Sequence, residues 1–407
     1  MSKHQRIVIV GAGQAGGVAA VALRNEGFAG AITLIGKEVW PPYERPPLSK
    51  DLLRGDMAVE RAFLRPAEAY AQQSIDLLLT TTAEEIDRGR QRLTLSDGTS
   101  IAYDALLLAT GMRPRPLEVP QLGGPKTHYL RDLDDCFDLR RQFAPNRRVV
   151  VIGAGLIGLE VAATARKAGC DVVILGQKRH PMPRVVPADV GRILTVLHCR
   201  HGVEFRGETV IESIEGRDEG SVILAQDGQE IFADTVVVGI GGLPNTQLAE
   251  SAGLAVANGI ITDEFGRTSD PAIFAAGDVA RRYSPRLGRH VCPESWQNAQ
   301  NQAMAVARTL VGHPEPYDEV PWFWTDQYDL NLQGAGGTEG YDRLVWRGEP
   351  GIAGSCLFYL SNGCVIGGAC FNNGRDMRHV KQLVARGLAP KAERLADTNV
   401  RLADLCH

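Results

Sequence analysis

The feature that most constrains this chain is a strand, glycine loop and helix pattern that occurs twice. Arg6 to Val10 is a short β-branched run that leads into Gly11-Ala-Gly-Gln-Ala-Gly16. An Ala/Val-rich helical stretch follows to Glu26, Gly27 ends it, and Ala31 to Ile35 reads as the next strand. The same grammar returns with Val149 to Ile152, then Gly153-Ala-Gly-Leu-Ile-Gly158, a helix to Ala168, Gly169 as its stop, and a strand from Asp171 to Leu175. Each copy is followed by a hairpin with an Asp-Gly turn, at Asp97-Gly98 and Asp227-Gly228. After each hairpin comes a hydrophobic strand running into glycine, Leu106 to Gly111 and Val236 to Gly241. The spacing has a chemical reason. The first glycine permits the tight turn, the second lets the backbone approach a pyrophosphate, and the third lets helix pack on strand. The helix N-terminus then offers free N–H groups and the positive end of its dipole to the phosphates. One such loop is a weak signal, whereas two in strand–turn–helix context predict two dinucleotide-binding domains.

The 407 residues leave room for a third domain, and the texture changes after Val320. Pro321-Trp-Phe-Trp324 is an aromatic cluster. Leu330 to Gln333, Leu344 to Arg347, Ser355 to Leu360 and Val365 to Cys370 read as strands of a small antiparallel sheet, with a basic helix after them from Arg375 to Ala385. The formal charge of −4 argues against a general nucleic-acid or anionic-membrane binder. No apolar run reaches the length needed to span a bilayer, and Met1 to Arg6 is polar with no leader pattern, so a cytoplasmic protein is expected. The eight cysteines, at 136, 170, 199, 292, 356, 364, 370 and 406, form no Cys-x-x-Cys pair. No metal site is expected from them.

The residues resemble those of the ferredoxin reductases of bacterial oxygenase systems, which belong to the glutathione-reductase-like flavoproteins. The resemblance spans the whole chain. It rests on Tyr43-Glu-Arg-Pro-Pro-Leu-Ser-Lys50, Leu108-Ala-Thr-Gly111, the second glycine loop with Glu160, Phe274-Ala-Ala-Gly-Asp278, Trp296-Gln-Asn-Ala-Gln-Asn-Gln302 and Pro321-Trp-Phe-Trp-Thr-Asp-Gln327. It implies an α/β fold with two Rossmann-like domains and a C-terminal α+β domain. FAD would be held by residues 1–112 with 240–318, NADH or NADPH by 113–239, and 319–407 would form an α+β interface domain. It also implies electron transfer to a [2Fe-2S] ferredoxin that feeds a Rieske dioxygenase or a haem-thiolate monooxygenase.

Site residues follow by resemblance. Gly11, Gly13 and Gly16 would cradle the FAD pyrophosphate, with Glu38 as the candidate ribose acid at the end of the second strand. Arg45, Thr110, Gly111, Arg115, Asp278 and Trp296 would complete the FAD site, Asp278 as the ribityl ligand. Gly153, Gly155 and Gly158 would hold the nicotinamide dinucleotide. Lys50 would lie nearest the reactive face of the flavin, because a cation there stabilises negative charge on the reduced ring. Glu160 would reach the same region and pair with Lys50, and Trp324 would pack by the flavin or the electron exit.

Two departures and two alternatives remain. At the end of the strand after the second loop, an Asp or Glu normally takes the ribose hydroxyls, whereas this chain has Gly176-Gln177-Lys178-Arg179, which leaves both coenzymes open. The cations of residues 375–394, with Arg65 and Arg308, would form a docking patch for an acidic partner although the chain as a whole is acidic. A disulfide or peroxide reductase needs a redox cysteine in the first domain, and none precedes Cys136. A monodehydroascorbate-type reductase, or a partner-binding flavoprotein with little turnover, stays open at this stage.

Overall fold

The computed structural model describes residues 4–124 and 127–407. Residues 1–3, the start of the polar N-terminal stretch, lie outside it. The chain packs into two compact units, one of Met1–Arg45, Ala58–Arg113 and Gly242–Glu319, the other of Pro46–Met57, Pro114–Gly241 and Val320–His407.

The first unit is built on a parallel five-stranded sheet in the order Ile273–Ala275, Ala105–Leu108, Arg6–Val10, Ala31–Ile35, Ile75–Leu78. Both faces of its strands are covered, so they read as continuous apolar runs rather than alternating ones. Helices Gln14–Asn25 and Trp296–Leu310 pack on one face through small residues, Ala15, Ala19, Ala22, Ala299, Ala303 and Ala307, which let the backbones approach.

The second unit repeats the sheet in the order Thr127–His128, Thr235–Val238, Arg148–Ile152, Asp171–Leu175, Glu204–Arg206, again parallel. The duplication extends to the backbone hydrogen bonds. Gly11 N–H donates to Ile35 O at 2.8 Å, and Gly153 N–H donates to Leu175 O at 2.9 Å. The same unit contains an antiparallel sheet in the order Trp322–Gln327, Leu330–Gly336, Cys364–Phe371, Cys356–Ser361, Arg343–Arg347. Helix Gly374–Arg386 covers it through Met377, Val380, Leu383 and Val384. The expected fold class is therefore observed.

Two local expectations are corrected. The hydrophobic strands end at Leu108 and Val238, short of the glycines, and Gly111 and Gly241 take positive φ in the turns that follow. Trp322-Phe-Trp324, read as an aromatic cluster, is the start of a fifth strand. Three consecutive aromatics hide the alternation by which a half-buried strand is recognised.

Candidate functional site

In both glycine loops, packing demands two glycines and leaves the middle one open. A methyl on Gly11 would lie 2.2 Å from Ala109 O, and one on Gly16 would lie 1.9 Å from Gly11 O. Gly13 has nothing within 4 Å of the corresponding position. The second loop matches, with Gly153 facing Gly239 O at 2.3 Å, Gly158 facing Gly153 O at 2.1 Å, and only Gly239 O, at 3.9 Å, near Gly155. Gly13 and Gly155 are the N-caps of their helices, and no side chain fills the cap. Each loop thus has an open, backbone-lined approach to a helix N-terminus, the arrangement a dinucleotide pyrophosphate requires. The residues present fit FAD and a nicotinamide dinucleotide.

Around the first loop, Glu38 accepts a hydrogen bond from the Tyr43 hydroxyl at 2.5 Å and from Arg45 Nη2 at 2.9 Å, and the Arg45 guanidinium lies over the Tyr43 ring. Glu38 and Arg45 therefore form one ion-paired group at the end of strand Ala31–Ile35. Thr110 and Gly111 are clasped by Asn245. Thr110 Oγ1 donates to Asn245 O and Asn245 Nδ2 donates to Thr110 O, both at 2.8 Å, while Asn245 N–H donates to Gly111 O at 2.9 Å. Asp278 follows Gly277, which has φ +78° and whose N–H donates to Gln302 Oε1 at 3.0 Å. Trp296 opens its helix behind Ser295, which accepts from Asn298 N–H at 3.2 Å. In the second unit Arg115 is exposed, and its N–H donates to Gly241 O at 2.9 Å.

A buried polar cluster in the second unit surrounds Glu160. Helix Leu156–Lys167 carries it on a buried face that is apolar apart from Thr164, and its carboxylate is only 2% exposed. Four residues answer that burial. Ser49 Oγ donates to Oε2 at 2.5 Å, and Thr325 Oγ1 donates to Oε1 at 2.7 Å. Lys50 Nζ lies 3.3 Å from Oε1, and the Asp326 N–H donates to the same oxygen at 3.4 Å. Lys50 Nζ also donates to Asp326 Oδ2 at 2.7 Å, and lies over the Trp324 ring, 5.2 Å from its centroid. The Pro46–Ser49 turn is held on the helix by Thr164 Oγ1, which donates to Ser49 O at 2.7 Å. Trp324 stacks on Trp322 at 5.2 Å.

The charges in this cluster oppose one another. Burial pushes the Glu160 carboxyl above its usual range, and Lys50 with the Ser49 and Thr325 hydroxyls only partly offsets that. Burial also works against the charge of Asp326, but Lys50 and Asn331 together hold its carboxyl below the usual range. The sequence motifs single out Lys50, Glu160 and Trp324 but assign no role to Ser49, Thr325 or Asp326. Two of these belong to the quoted Trp-Phe-Trp-Thr-Asp-Gln motif. The signal that points to them is Glu160 itself, since a carboxylate within a run of Leu, Val and Ala on a helix needs donors from elsewhere in the chain.

Gln177, Lys178 and Arg179 are all exposed. Their loop lies against the next strand's exit, where a methyl on Gly207 would meet Arg179 O at 2.8 Å and Lys178 O at 3.1 Å. Cys136 is buried, donates to Leu48 O at 3.3 Å, and has its thiol pushed up to about 12 by burial, so it is a poor thiolate nucleophile. Of the expected patch, Arg375 and Arg378 are exposed, Lys381 lies over the Trp322 ring, and Arg308 is ion-paired with Glu26 and Glu315. No helix among the described residues is long and apolar enough to cross a membrane.

The profile of the pyridine nucleotide-disulphide oxidoreductases matches residues 5–303, and one described as reductase C-terminal matches residues 322–406. The ferredoxin–NAD(+) reductase component of an anthranilate 1,2-dioxygenase system from Burkholderia cepacia is 44% identical over 396 residues, covering 97% of this chain and 98% of its own. Putidaredoxin reductase from Pseudomonas putida is 40% identical over 411 residues, 100% of this chain and 97% of its own. The crystal structure of a covalent putidaredoxin reductase–putidaredoxin complex contains a chain that superposes with a TM-score of 0.95 at 40% identity, covering 100% of this chain and 98% of that one.

Proposed function

This chain belongs to the pyridine nucleotide-disulphide oxidoreductase family, and we infer that within it the protein passes electrons from NADH or NADPH, through FAD, to a [2Fe-2S] ferredoxin that feeds an oxygenase. The overall reaction is NAD(P)H plus two oxidised ferredoxins giving NAD(P)⁺, a proton and two reduced ferredoxins. Relatives aligned along nearly the whole chain are named as a ferredoxin–NAD(+) reductase component and as putidaredoxin reductase. The observation in this chain that carries the reading is the Lys50–Glu160–Asp326 cluster, a fixed cation in place of a redox cysteine.

FAD, when bound, accepts a hydride and releases its two electrons singly. The chain supplies binding, alignment and electrostatics. Residues 1–112 with 240–318 hold FAD, with the open backbone at Gly13 against the pyrophosphate, and Glu38, Thr110, Gly111, Asp278 and Trp296 as further contacts. Arg45, already paired with Glu38, and Arg115 complete the proposed contacts. Residues 113–239 hold the nicotinamide coenzyme at Gly153, Gly155 and Gly158, with Gln177, Lys178 and Arg179 beside its adenosine end. Lys50 presents an ammonium whose position is set by two carboxylates, so it stabilises developing negative charge without having to reorganise. Glu160 fixes that ammonium, and Trp324 covers its apolar side. Residues 319–407 form the α+β interface domain, and the protein works in the cytoplasm, where its coenzymes are reduced.

The test is steady-state oxidation of NADH and NADPH with and without a two-iron ferredoxin. Stimulation by ferredoxin, with one FAD bound per chain, is the expected result. Fast turnover with monodehydroascorbate and none with ferredoxin overturns the reading.

A further inference from the structure

We propose that Gln327 and His198 are positioning residues that hold the Thr325 hydroxyl on Glu160 through one directional hydrogen-bond chain, running inward from Tyr328. The inference rests on the reading of Glu160 as part of the electron-transfer site. It starts from an accounting of hydrogens. Thr325 Oγ1 lies 2.7 Å from Glu160 Oε1, and the carboxylate accepts only, so the hydroxyl spends its single hydrogen there. Its oxygen is then an acceptor, and Gln327 Nε2 donates to it at 3.1 Å. Gln327 Oε1 is in turn 2.9 Å from His198 Nε2. A carboxamide oxygen accepts, so Nε2 carries the proton and Nδ1 of the neutral ring is left to accept, with the Tyr328 hydroxyl 3.4 Å away. Thr325, Gln327 and His198 are each 0% exposed, so bulk solvent does not reach them.

The chain has one alternative, in which every member reverses. Gln327 would present its oxygen to Thr325, the hydroxyl would turn toward it, and His198 would carry its proton on Nδ1. That arrangement satisfies the neutral groups equally well but removes a donor from a buried carboxylate. A hydrogen bond to an ionised group is about twice as strong as one between neutral groups, and a buried charge that loses a donor is compensated less well for its desolvation. Glu160 therefore selects the inward direction. The link from Tyr328 also needs His198 uncharged, since an imidazolium has no accepting nitrogen, and burial, with His201 acting the same way, lowers its imidazole to about 4 against the pull of Gln327. The tail of the chain is anchored. Tyr328 stacks on His201 with ring centroids 3.6 Å apart, and its carbonyl accepts from Lys167 Nζ at 3.2 Å. An amide does not relay protons, so the chain orients rather than conducts.

The charged and titratable groups around it are Lys50 and Asp326 beside Glu160, with His201, Cys199, Arg166 and Lys167 around His198 and Tyr328. Lys50 and the Asp326 N–H share Oε1 with the Thr325 hydroxyl, at 3.3 Å and 3.4 Å against its 2.7 Å, so the hydroxyl makes the shortest of the three contacts.

The test is the pH dependence of the limiting rate of flavin reduction, followed by stopped flow on the FAD-loaded enzyme at saturating NADH. Donors to the charged form lower a carboxyl's pKa, so their loss raises it and moves the acid limb of the profile to higher pH. Gln327→Leu and His198→Leu should each move it upward by about one pH unit. His198→Gln, whose amide nitrogen takes the place of Nε2, should bring the limb back to the wild-type position, which a role in packing alone would not do. Glu160→Gln serves as reference and should abolish the limb. If the two leucine variants reproduce the wild-type limb while Glu160→Gln removes it, the positioning role is wrong and the role of Glu160 stands. A wild-type limb in Glu160→Gln sinks both. Should a leucine variant fail to fold, Thr325→Val against Thr325→Ser makes the same comparison, since serine keeps the donor: a shift in valine alone supports the chain, and no shift in either overturns it.

Discussion

The ammonium of Lys50 sits 3.3 Å from the carboxylate of Glu160, and the two partners are unequally buried, 13% and 2% exposed. The acid is committed to the interior while the base retains access to whatever approaches. Asp326, about half exposed, takes the second position on the ammonium at 2.7 Å. The lysine is thereby fixed from two sides.

Removing the cation should cost both rate and stability, and the two effects separate. Lys50→Ala strands Glu160 without its counter-charge, which for a buried pair costs about 3 kcal/mol. Glu160→Gln in the same chain relieves that, because the stranded charge is gone. The double variant should therefore be about 1–2 kcal/mol more stable than Lys50→Ala alone. Its flavin reduction rate should remain roughly tenfold or more below wild type. Urea unfolding and stopped-flow reduction read the two quantities, and additive stability losses would refute the coupling.

The glycine loop offers a second separation, of folding from cofactor binding. Gly13 has extended backbone, φ −91°, and open space where a methyl would go, so Gly13→Ala should fold with wild-type stability. The methyl would occupy the approach to the helix N-terminus, and FAD affinity should fall at least tenfold. Gly16→Ala meets the Gly11 carbonyl at 1.9 Å and should lose about 3 kcal/mol. FAD content after gel filtration and apoprotein melting read the contrast. Equal FAD content in Gly13→Ala and wild type would show that the pyrophosphate does not use this loop.

The duplication was fully legible in the residues, because glycine spacing and β-branched runs are local signals. So were four of the five C-terminal strands and the helix that covers them. The fifth, Trp322–Gln327, was not, since its aromatics do not alternate with polar residues. Thr325 and Gln327 carry no local mark of burial either. They are buried because a carboxylate on helix Leu156–Lys167 and an imidazole on helix Ala188–Arg200 face them, and those meetings are set by tertiary packing. Lys50 and Glu160 were found only through family resemblance. Composition alone would leave both in solvent.

His198 makes stability depend on pH. Its folded value of about 4 lies below the ordinary 6.5, so the native state resists protonation that the unfolded chain accepts. Stabilisation is complete above 6.5 and is lost as pH falls from there toward 4, amounting to about 2 kcal/mol by pH 5. His198→Gln lacks the titration and should flatten that part of the curve. Urea midpoints at pH 7 and pH 5 for both proteins decide it, and parallel losses would place the titrating group elsewhere.

Ferredoxin reduction should slow as salt is added, by several-fold between low and physiological ionic strength, if an acidic partner docks on cations. Arg375 and Arg378 are exposed on helix Gly374–Arg386, whereas Arg308 already pairs with Glu26 and Glu315. Charge reversal at Arg308 would put a third carboxylate into that group and disturb it for local reasons. Arg378→Glu is the cleaner probe and should weaken the salt dependence. A wild-type salt profile in Arg378→Glu would move the docking surface away from this helix.

Coenzyme discrimination should be weak, and the loop after strand Asp171–Leu175 is the reason. An acid at that point accepts the ribose hydroxyls of NADH and repels the 2′-phosphate of NADPH. Here Gln177, Lys178 and Arg179 are exposed, so this loop offers no repulsive acid and two cations instead. Gln177 still offers hydrogen bonds to a ribose, so NADH remains a donor. Both coenzymes should reduce the flavin, and a Lys178→Glu, Arg179→Ala double variant should shift kcat/KM toward NADH by at least tenfold, about 1.4 kcal/mol of differential binding. The segment Gly207–Thr209 packs against this loop and carries Glu208. A wild-type preference for NADH beyond about a thousandfold, some 4 kcal/mol, would show that an acid such as Glu208 supplies the missing repulsion. Glu208→Gln would then relax the preference while the loop variant would not change it.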